Sequence, residues 1–294
     1  MNNKITRGTV YRHFCFLFVI IFFSFSIQII NAQNISETKL KVMTFNIRYG
    51  TADDGENSWQ YRKENLFNEI RKLNPDLLGL QEALAFQINE ILEAVPEYSF
   101  AGVGRDDGKQ AGEYSCILYK KNQFRLDTTE TFWFSNTPNV PGSNDWGNSI
   151  TRICTWIKVT DKLAGKSFYH YNIHIDHLSQ PSREKSTEFL IDKISKENNF
   201  KNVIITGDFN CGDENPAVQT ITSTGLIDTY RILHPKNPNE GTFNDFKGIM
   251  TGEKIDFIFV SKDFNTVDSE IIRTNVNGKY LSDHFPVMSN LILR

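Results

Sequence analysis

Cysteine is scarce in this chain, which has four cysteines in 294 residues. So few cysteines cannot hold a chain of this length together as a disulfide framework. No Cys-x-x-Cys pair is present, which excludes the thioredoxin-type redox motif and the usual cysteine-rich zinc sites. Cys116 and Cys154 lie in apolar, strand-like runs, so each is expected to be a small buried hydrophobic residue.

Several motifs that carry common chemistry are also absent. The sequence has no Gly-x-Ser-x-Gly, no P-loop, no Gly-x-Gly-x-x-Gly and no His-Glu-x-x-His. These absences argue against a serine hydrolase, a P-loop nucleotide hydrolase, a dinucleotide-binding fold and a helical zinc protease.

Basic residues are not in excess. The formal net charge is -3, and the first 32 residues hold three basic residues and no acidic one. The rest of the chain is therefore mildly acidic, with 29 Lys and Arg against 35 Asp and Glu. This balance excludes a broad electrostatic hold on a polyanion as the main basis of binding, although it does not exclude cleavage of one.

The first 32 residues have the layout of a secretory signal peptide. Three basic residues precede the apolar run Phe14–Ile30, and Ile30 and Ala32 occupy the -3 and -1 positions of a cleavage site before Gln33. We therefore expect an exported protein, periplasmic or secreted, with one folded domain over residues 33–294. The alternative is an uncleaved membrane anchor, for which a run of this length is short against a hydrocarbon core of about 30 Å.

The remaining sequence predicts one domain with many short strands and few helices. Helices are predicted over Tyr61–Leu73, Ala83–Val95 and Ser182–Lys196. Strands are predicted over Leu40–Asn46, Leu77–Gln81, Ser115–Tyr119, Phe124–Phe134, Ser149–Thr160, Ser167–Ile175, Asn202–Thr206, Lys254–Val260 and Val287–Leu293. This pattern indicates sheet packed on sheet, with helices covering the outer faces.

Polar residues capable of binding metals or moving protons follow the apolar runs. Each is ordinary alone, since a single Asp or Asn at a strand end is usually a turn former or a helix cap. Together they supply carboxylates, amides and imidazoles, which is the inventory for Mg²⁺-assisted attack on phosphorus. These residues are Asn46, Glu82, His174, Asp208, Asn210, Asp283 and His284.

Asp256 and the pair of histidines His174 and His177 also belong to the candidate site. Asp256 lies inside an apolar run, so its carboxylate is expected to have a buried partner. His174 and His177 form a possible zinc pair when taken alone, but the oxygen-rich set favours Mg²⁺.

The motifs TFN, LQE, NIHIDH, GDFN, KIDFIFV and SDHFPV occur in this order. This order resembles the endonuclease/exonuclease/phosphatase superfamily, which includes deoxyribonuclease I, and the resemblance spans about residues 39–294. The segments GVGRDDGKQAGEYSCILY, TFWFSNTP and RICTW resemble a secreted bacterial branch near the deadenylase type. The resemblance implies a four-layer α/β sandwich, with two central, mostly antiparallel β-sheets flanked by helices.

The resemblance also implies a divalent cation, Mg²⁺ or Mn²⁺, and an attacking water. Glu82 matches the principal metal ligand, with Asn46 and Asp283 beside it. Asp208 matches the residue that orients or deprotonates the water, and Asn210 matches an amide that holds the water or a phosphate oxygen. The implied reaction is in-line attack of the activated water on a phosphate ester.

The remaining roles implied by the resemblance concern two histidines and the phosphate. His284 matches the catalytic histidine and Asp256 its carboxylate partner. His174 matches a second histidine that donates to a phosphoryl oxygen or to the leaving group, with Glu113 as its carboxylate partner. Arg152 matches a phosphate-contacting arginine, or it is a surface residue on an edge strand.

The substrate is less specified than the reaction. A phosphodiesterase of the nuclease type is expected, with a phosphatase for phospholipid headgroups or for sugar or inositol phosphates as the alternative. Trp146 is expected either to stack on a sugar or base or to fold onto the core. A binding module would not need this set of residues, and a glycosidase would not need the histidines. No obligate protein partner is indicated, and a monomer is expected.

Overall fold

A computed structural model describes Met1, residues 37–148 and residues 150–294. The predicted signal peptide and its alternative, the membrane anchor, lie outside these residues apart from Met1. Among the helices that are described, none has the length and apolar character needed to cross a bilayer.

The described residues form fourteen strands and four α-helices. The helices are α1 (Trp59–Leu73), α2 (Ala85–Ala94), α3 (Gln180–Asn198) and α4 (Pro216–Thr222), and a short 3₁₀ turn covers Gly55–Asn57. The strands are β1 (Thr38–Asn46), β2 (Leu77–Gln81), β3 (Tyr98–Ala101), β4 (Ile117–Lys120), β5 (Phe124–Trp133), β6 (Ile153–Asp161), β7 (Ser167–His174), β8 (Val203–Asp208), β9 (Ile227–Asp228), β10 (Asp256–Val260), β11 (Phe264–Ile271), β12 (Asn275–Val276), β13 (Lys279–Tyr280) and β14 (Val287–Leu293).

Two six-stranded sheets form the centre of the fold. One has the order β11-β14-β1-β2-β4-β3 and the other the order β5-β6-β7-β8-β10-β9, while β12 and β13 form a separate ribbon. Within the described sheets, β1 with β2 and β7 with β8 pair in parallel, and the other neighbours are antiparallel. The predicted fold class, two mostly antiparallel sheets flanked by helices, is confirmed.

Successive side chains of the strands face opposite sides of each sheet, and this alternation explains the four layers. In β1, Leu40 and Val42 join the core between the sheets, whereas Met43 and Phe45 join the core beneath α1 and α2. The outer face of the second sheet packs in the same way against α3 and α4. Successive side chains of a strand point to opposite faces, so each sheet buries both of its faces. Cys116 and Cys154 are buried and free, as expected.

The three predicted helices are present, with ends that differ by a few residues. Helix α4 was not predicted, and its signal is local: Asn215 accepts a hydrogen bond from the backbone N–H of Ala217, and Pro216 occupies the first turn. Strand β11 was not predicted either, because its exposed polar residues alternate with buried ones and dilute the apolar pattern.

A buried polar network joins the two sheets below the site. Gln81 of the first sheet donates to Asn172 Oδ1 of the second at 2.7 Å, and Thr206 donates to the same oxygen at 2.9 Å. Asn172 Nδ2 in turn donates to the carbonyl oxygens of Leu80 and Cys116. The bonds from Gln81 to Asn172 and from Asn172 to the two carbonyl oxygens cross between the sheets and would be lost if one sheet slid along the other, so they fix the relative position of the sheets.

Candidate active site

Strand register brings the predicted polar residues together at one end of the sandwich. Asn46, at the end of β1, pairs with Gln81 of the parallel β2, which places Glu82 next to it. His174 pairs with Asp208 in the parallel pair β7–β8, and Asp256 pairs with Asp208 across β8–β10. Residues far apart in the sequence therefore meet because the carboxyl ends of the parallel strands share an edge.

Three residues just beyond strand ends adopt left-handed backbone conformations. Arg48, Glu82 and Asn210 have φ values of 58°, 60° and 50°, and none of them is glycine. This conformation costs roughly 1–2 kcal/mol for most residues. Strain of this kind concentrates at functional sites, where the surrounding structure maintains it.

The strand ends open into a cavity of about 450 Å³. Eight of the eleven predicted site residues line it, whereas Asn46 and Asp256 lie behind its wall and Trp146 is not part of it. The lining residues are Arg48, Tyr49, Glu82, Arg105, Glu113, Ile150, Arg152, His174, His177, Asp208, Asn210, Phe243, Ile255, Asp283 and His284.

Asn46 connects the carboxylates of the two sheets. Its Nδ2 donates to Glu82 Oε1 at 3.0 Å and to Asp208 Oδ2 at 2.9 Å. Its Oδ1 accepts the backbone N–H of Arg48 at 3.0 Å, which leaves one lone pair. In this structure Asn46 therefore positions two carboxylates, and only Oδ1 is available as a ligand atom.

Glu82 and Asp283 offer hard oxygen ligands to the cavity. Glu82 Oε2 accepts the backbone N–H of Tyr49 at 3.2 Å, and Asp283 Oδ1 accepts the hydroxyl of Ser282 at 3.1 Å. Burial raises the pKa of Asp283, and the negative charge of Glu82 acts in the same direction. Two carboxylates that line one cavity fit a divalent cation such as Mg²⁺ or Mn²⁺.

Asp208, Asp256 and His284 form a second acidic group. Oxygen and nitrogen atoms of these residues lie within 4.8 Å of one another. However, His284 Nδ1 already shares a hydrogen bond with Asp256 Oδ2 at 2.9 Å, so these two atoms have each other as partners. Glu82 and Asp283 therefore fit a cation better.

The surroundings of His284 and Asp208 raise the pKa of both groups. Burial by itself would lower the pKa of His284, but the charges of Asp256 and Asp208 outweigh it and raise the pKa to about 10. Burial, followed by the charge of Asp256, raises the pKa of Asp208 to about 7. At neutral pH the ring is therefore a cation and the Asp208 carboxyl is poised to exchange a proton.

The surroundings of His174 favour its neutral form. Burial lowers its pKa well below the ordinary value, and the positive charges of Arg152 and Arg105 act in the same direction. Asn210 Nδ2 donates to the carbonyl of Ile175 and lies 3.0 Å from His174 Nε2. An amide nitrogen is only a donor, so Nε2 accepts here, and both hydrogens of Asn210 Nδ2 are used.

Glu113 has a different partner from the one expected, and Trp146 adopts one of its two expected positions. The carboxylate of Glu113 makes two hydrogen bonds with the guanidinium of Arg105, at 2.7 and 2.9 Å, instead of binding His174. The indole N–H of Trp146 donates to Asn136, and its ring packs 6.3 Å from that of Phe189 on α3. The second reading of Trp146, a loop residue folded onto the core, is the one observed.

Arg152 is buried rather than a surface residue. Its Nη2 lies 2.9 Å from His177 Nδ1, and its Nε lies 3.5 Å from Asp176 Oδ2. Because arginine can only donate, Nδ1 of His177 is the acceptor. His177, whose expected alternatives were to line the pocket or to be structural, therefore lines the cavity and helps to hold Arg152.

Arg48, Arg105 and Phe243 are among the cavity-lining residues that were not predicted from the sequence. Arg48 forms a two-bond pair with Asp54, and Arg105 is presented by the loop that contains Glu113. Phe243 is 46% exposed, and its ring lies 5.3 Å from that of His284. The only sequence signals were the position of Arg48 after the TFN motif and the glycines around Arg105.

Comparisons with known proteins give one consistent family. The profile of the Endonuclease/Exonuclease/phosphatase family matches residues 43–284. A crystal structure of an endonuclease/exonuclease/phosphatase from Bacteroides vulgatus is 37% identical, with a TM-score of 0.82 over 87% of this chain and 100% of that one. A mannosyl-6-phosphatase from Bacteroides thetaiotaomicron is 33% identical, with a TM-score of 0.79 over 86% and 99%.

A more distant relative is a nuclease subunit. The 3'-5'-exoribonuclease subunit Ccr4 of the CCR4-Not complex from Saccharomyces cerevisiae is 23% identical over 79% of this chain. The match covers only 35% of that protein, so about two thirds of its length has no counterpart in the aligned region.

Proposed function

The chain belongs to the endonuclease/exonuclease/phosphatase family, and from this premise we propose that it hydrolyses phosphoric esters with the help of a divalent cation. One observation carries the proposal: Glu82, Asp208, Asp283 and His284 meet on a single cavity. Phosphoester hydrolysis needs carboxylates that fit a cation, a carboxyl group that can take a proton and a positively charged ring.

Glu82 and Asp283, with Oδ1 of Asn46, would hold Mg²⁺ or Mn²⁺. When bound, such a cation supplies positive charge to phosphoryl oxygens and lowers the pKa of a water molecule. A set made only of carboxylate and amide oxygens suits these hard ions better than zinc.

Asp208 is the proposed base for the attacking water. The backbone N–H of Asn210 donates to its Oδ1 and Asn46 Nδ2 donates to its Oδ2, so both oxygens are held in place. A carboxyl with a pKa raised to about 7 takes a proton more readily than an ordinary aspartate does. Asn210 can assist through its oxygen, because both hydrogens of its amide nitrogen have protein partners.

His284 and Arg152 supply positive charge opposite the carboxylates. Asp256 fixes the His284 ring from Nδ1, and Nε2 lies 3.8 Å from Asp208 Oδ2, on the side of the reacting groups. Arg152 lines the same cavity, just before β6. Both cations stabilise charge that concentrates on the non-bridging oxygens during the reaction.

The proposal covers two substrate classes, because relatives of both kinds match. The name of one relative is that of an exoribonuclease and the name of another that of a sugar phosphatase. The sugar phosphatase has the higher sequence identity, and its match covers most of both chains, which supports a sugar phosphate as substrate. We propose as well that the mature protein begins near Gln33, acts outside the cytoplasm and is a monomer.

A panel assay of the purified protein tests the proposal. The panel contains single- and double-stranded DNA, RNA, sphingomyelin, inositol phosphates, sugar phosphates and nitrophenyl glycosides, each with Mg²⁺, with Mn²⁺ and with excess EDTA. We expect hydrolysis of at least one phosphoester, lost in EDTA and in Asp208→Asn. Hydrolysis of glycosides alone, or of no substrate, would overturn the proposed function. Undiminished turnover in EDTA would overturn the metal requirement.

A further inference from the structure

The residues that line the cavity divide into a buried group and an exposed group. Of the side chains proposed for the reaction, Asp208 is 1% exposed, His284 is 6% exposed and Asp283 is 8% exposed. Phe243 is 46% exposed, and His177 is exposed as well. When a phosphoryl group reaches the buried carboxyl of Asp208, the rest of the substrate therefore lies near the exposed residues at the mouth of the cavity.

The direction of attack places the leaving group at this mouth. Asp208 is the proposed base, so the attacking water lies between its carboxylate and the phosphorus atom. In an in-line displacement the leaving group departs on the side opposite the attacking water. Because Asp208 is almost completely buried at the end of β8, that side is the open part of the cavity. Residues exposed there contact the alcohol part of the ester.

The order of the strands places His177 and Phe243 on either side of Asp208. His177 follows β7, and Asp208 is the last residue of β8. Thr242 Oγ1 accepts the backbone N–H of Asp256, the first residue of β10, so the neighbouring Phe243 lies at the same end of the sheet. Strands β7, β8 and β10 are adjacent in that order, and adjacent strands are about 4.8 Å apart. The leaving group therefore has His177 on one side and Phe243 on the other.

His177 has one hydrogen-bond donor to offer. Its Nδ1 lies 2.9 Å from Nη2 of Arg152, and since arginine only donates, Nδ1 carries no hydrogen. The ring is then neutral, with its hydrogen on Nε2. No described residue accepts a hydrogen bond from Nε2. The exposed ring is thus free to donate from Nε2 to a ligand in the cavity that it lines.

Phe243 has an apolar face that the protein holds in place. The backbone of Phe243 pairs with that of His284 in an isolated bridge, and the backbone N–H of Asn244 donates to the carbonyl of Asp283 at 2.7 Å. The rings of Phe243 and His284 lie 5.3 Å apart with an angle of 72° between their planes. A ring that is already held binds an apolar surface with little further loss of side-chain entropy.

A directed donor beside an apolar ring suits the chemistry of a sugar. A sugar ring has a face of C–H groups, which packs on an aromatic ring, and hydroxyl oxygens, which accept hydrogen bonds. An acyclic alcohol has hydroxyls without such a face. A few polar groups placed among apolar ones are the usual basis of orientation and specificity in small-molecule sites.

We propose that His177 and Phe243 form a leaving-group subsite, in which Phe243 contacts the C–H face of a sugar ring and the Nε2–H of His177 donates to one of its hydroxyls. The inference rests on the proposed function, which it narrows to phosphate esters of cyclic sugars. It assigns the selectivity to two residues that take no part in the hydrolysis itself.

Three phosphomonoesters separate the contributions of the two residues. Mannose 6-phosphate has a ring and hydroxyls, glycerol 3-phosphate has hydroxyls without a ring, and p-nitrophenyl phosphate has a ring without hydroxyls. The first two share a primary alcohol as leaving group, so they differ little in intrinsic reactivity. In Mg²⁺ the wild-type protein should show a higher kcat/KM on mannose 6-phosphate than on glycerol 3-phosphate. Each variant is compared with wild type on each ester, and thermal unfolding identifies any folding defect.

Two substitutions of His177 separate its donor from its contact with Arg152. In His177→Asn the amide oxygen can replace Nδ1 as the acceptor for Arg152, but nothing replaces the Nε2–H; His177→Gln does the reverse. His177→Asn should lower kcat/KM on mannose 6-phosphate by about threefold to tenfold, the effect of one hydrogen bond, and on p-nitrophenyl phosphate much less. His177→Gln should keep the ratio of the two activities near that of wild type.

Phe243→Leu keeps an apolar cover beside His284 and removes the flat face. It should lower kcat/KM on mannose 6-phosphate and p-nitrophenyl phosphate by about threefold to tenfold, and on glycerol 3-phosphate much less. Phe243→Tyr keeps the face and should behave like wild type. Tyr61→Leu is the matched control, because Tyr61 is 62% exposed and does not line the cavity, and it should change none of the three values.

Binding without turnover provides a second readout. In Asp208→Asn, calorimetry in Mg²⁺ should show tighter binding of mannose 6-phosphate than of glycerol 3-phosphate, and adding His177→Asn or Phe243→Leu should remove most of this difference. Equal losses on all three esters, no loss, or equal binding of the two alkyl phosphates would overturn the inference and leave the proposed function intact. If wild type cleaves no ester but the difference in binding depends on both residues, the proposed function fails and the sugar subsite stands.

Discussion

The Nδ1 atom of His284 lies 2.9 Å from Oδ2 of Asp256, and both side chains are almost completely buried. Asp256 is the first residue of β10, and the segment that leads into β14 carries His284, so two strands of different sheets set the position of the pair. The carboxylate fixes the ring and favours its charged form.

Asp256→Asn should lower activity and move the alkaline limb of the pH–rate profile to lower pH. The charges of Asp256 and Asp208 hold the pKa of His284 at about 10 against burial, so removing one of them lowers that pKa. Activity that needs the protonated ring is then lost earlier as the pH rises. We expect kcat/KM at neutral pH to fall about a hundredfold, in the range of general acid–base effects.

Combining Asp256→Asn with His284→Ala checks that the two residues act as one unit. The double variant should be about as impaired as the worse single variant. Additive losses, or an unchanged pH profile in Asp256→Asn, would mean that the carboxylate does not act through this histidine.

Glu82→Gln should weaken the proposed cation site and leave the fold intact. The substituted side chain keeps an oxygen for the N–H of Tyr49 but loses its charge and the acceptor for Asn46 Nδ2, so more Mg²⁺ is needed for half-maximal activity. At a fixed low Mg²⁺ concentration we expect a loss of about a hundredfold or more. Glu214→Gln is the matched control, because Glu214 is 77% exposed in its pair with Lys236. An unchanged Mg²⁺ dependence in Glu82→Gln would contradict the assignment.

Asp208→Asn should abolish activity and yet raise the unfolding temperature at alkaline pH. An aspartate in an unfolded chain has a pKa of about 3.9, whereas burial raises the pKa of Asp208 in the folded protein to about 7. The native state is therefore destabilised progressively as the pH rises through this window, and the full penalty is present above it. Melting curves should show a gain for Asp208→Asn at pH 8 that disappears near pH 4. If the Asp208→Asn variant melted at a lower temperature than wild type at both pH values, the fold would be shown to accommodate the charged Asp208 carboxylate well.

Trp146→Ala should reduce stability without a comparable effect on catalysis. The ring packs against Phe189 and does not line the cavity, so its loss removes apolar contacts and the hydrogen bond to Asn136. We expect a cost of about 1–3 kcal/mol in the free energy of unfolding and a kcat/KM within about a factor of two of wild type, since only interactions made in the transition state alter it. A large fall in kcat/KM with unchanged stability would restore the stacking role.

Native protein should begin near Gln33. N-terminal sequencing or intact mass of protein recovered from its own cells should show that the run Phe14–Ile30 has been removed. Recovery of the full N-terminus in a membrane fraction would favour the uncleaved anchor.

The sequence predicted the fold and the centre of the site because both depend on regular strands. Asn46, His174 and Asp208 end apolar runs, and the strand register then brings them together. Asp256 was predictable for a second reason, since a carboxylate in an apolar run needs a partner.

Residues positioned by loops could not be predicted in this way. Arg105 and Glu113 sit at the two ends of one loop, and their pairing depends on its turns rather than on periodicity. Trp146 likewise lies in a loop, with a positive φ of 62° that no apolar pattern reveals. Loop geometry rather than residue type therefore decided each of these outcomes.

The division of the site between two sheets has a thermodynamic consequence. Glu82 and Asp283 belong to the first sheet and its approach, whereas Asp208 belongs to the second, and the bond from Gln81 to Asn172 holds the sheets in place. Neither sheet alone holds all of the groups proposed for the cation and the phosphate ester, so the proposed ligands would bind the native state and not the unfolded chain. Mass action would then stabilise the protein by about 2.7 kcal/mol when such a ligand is present at roughly a hundred times its Kd.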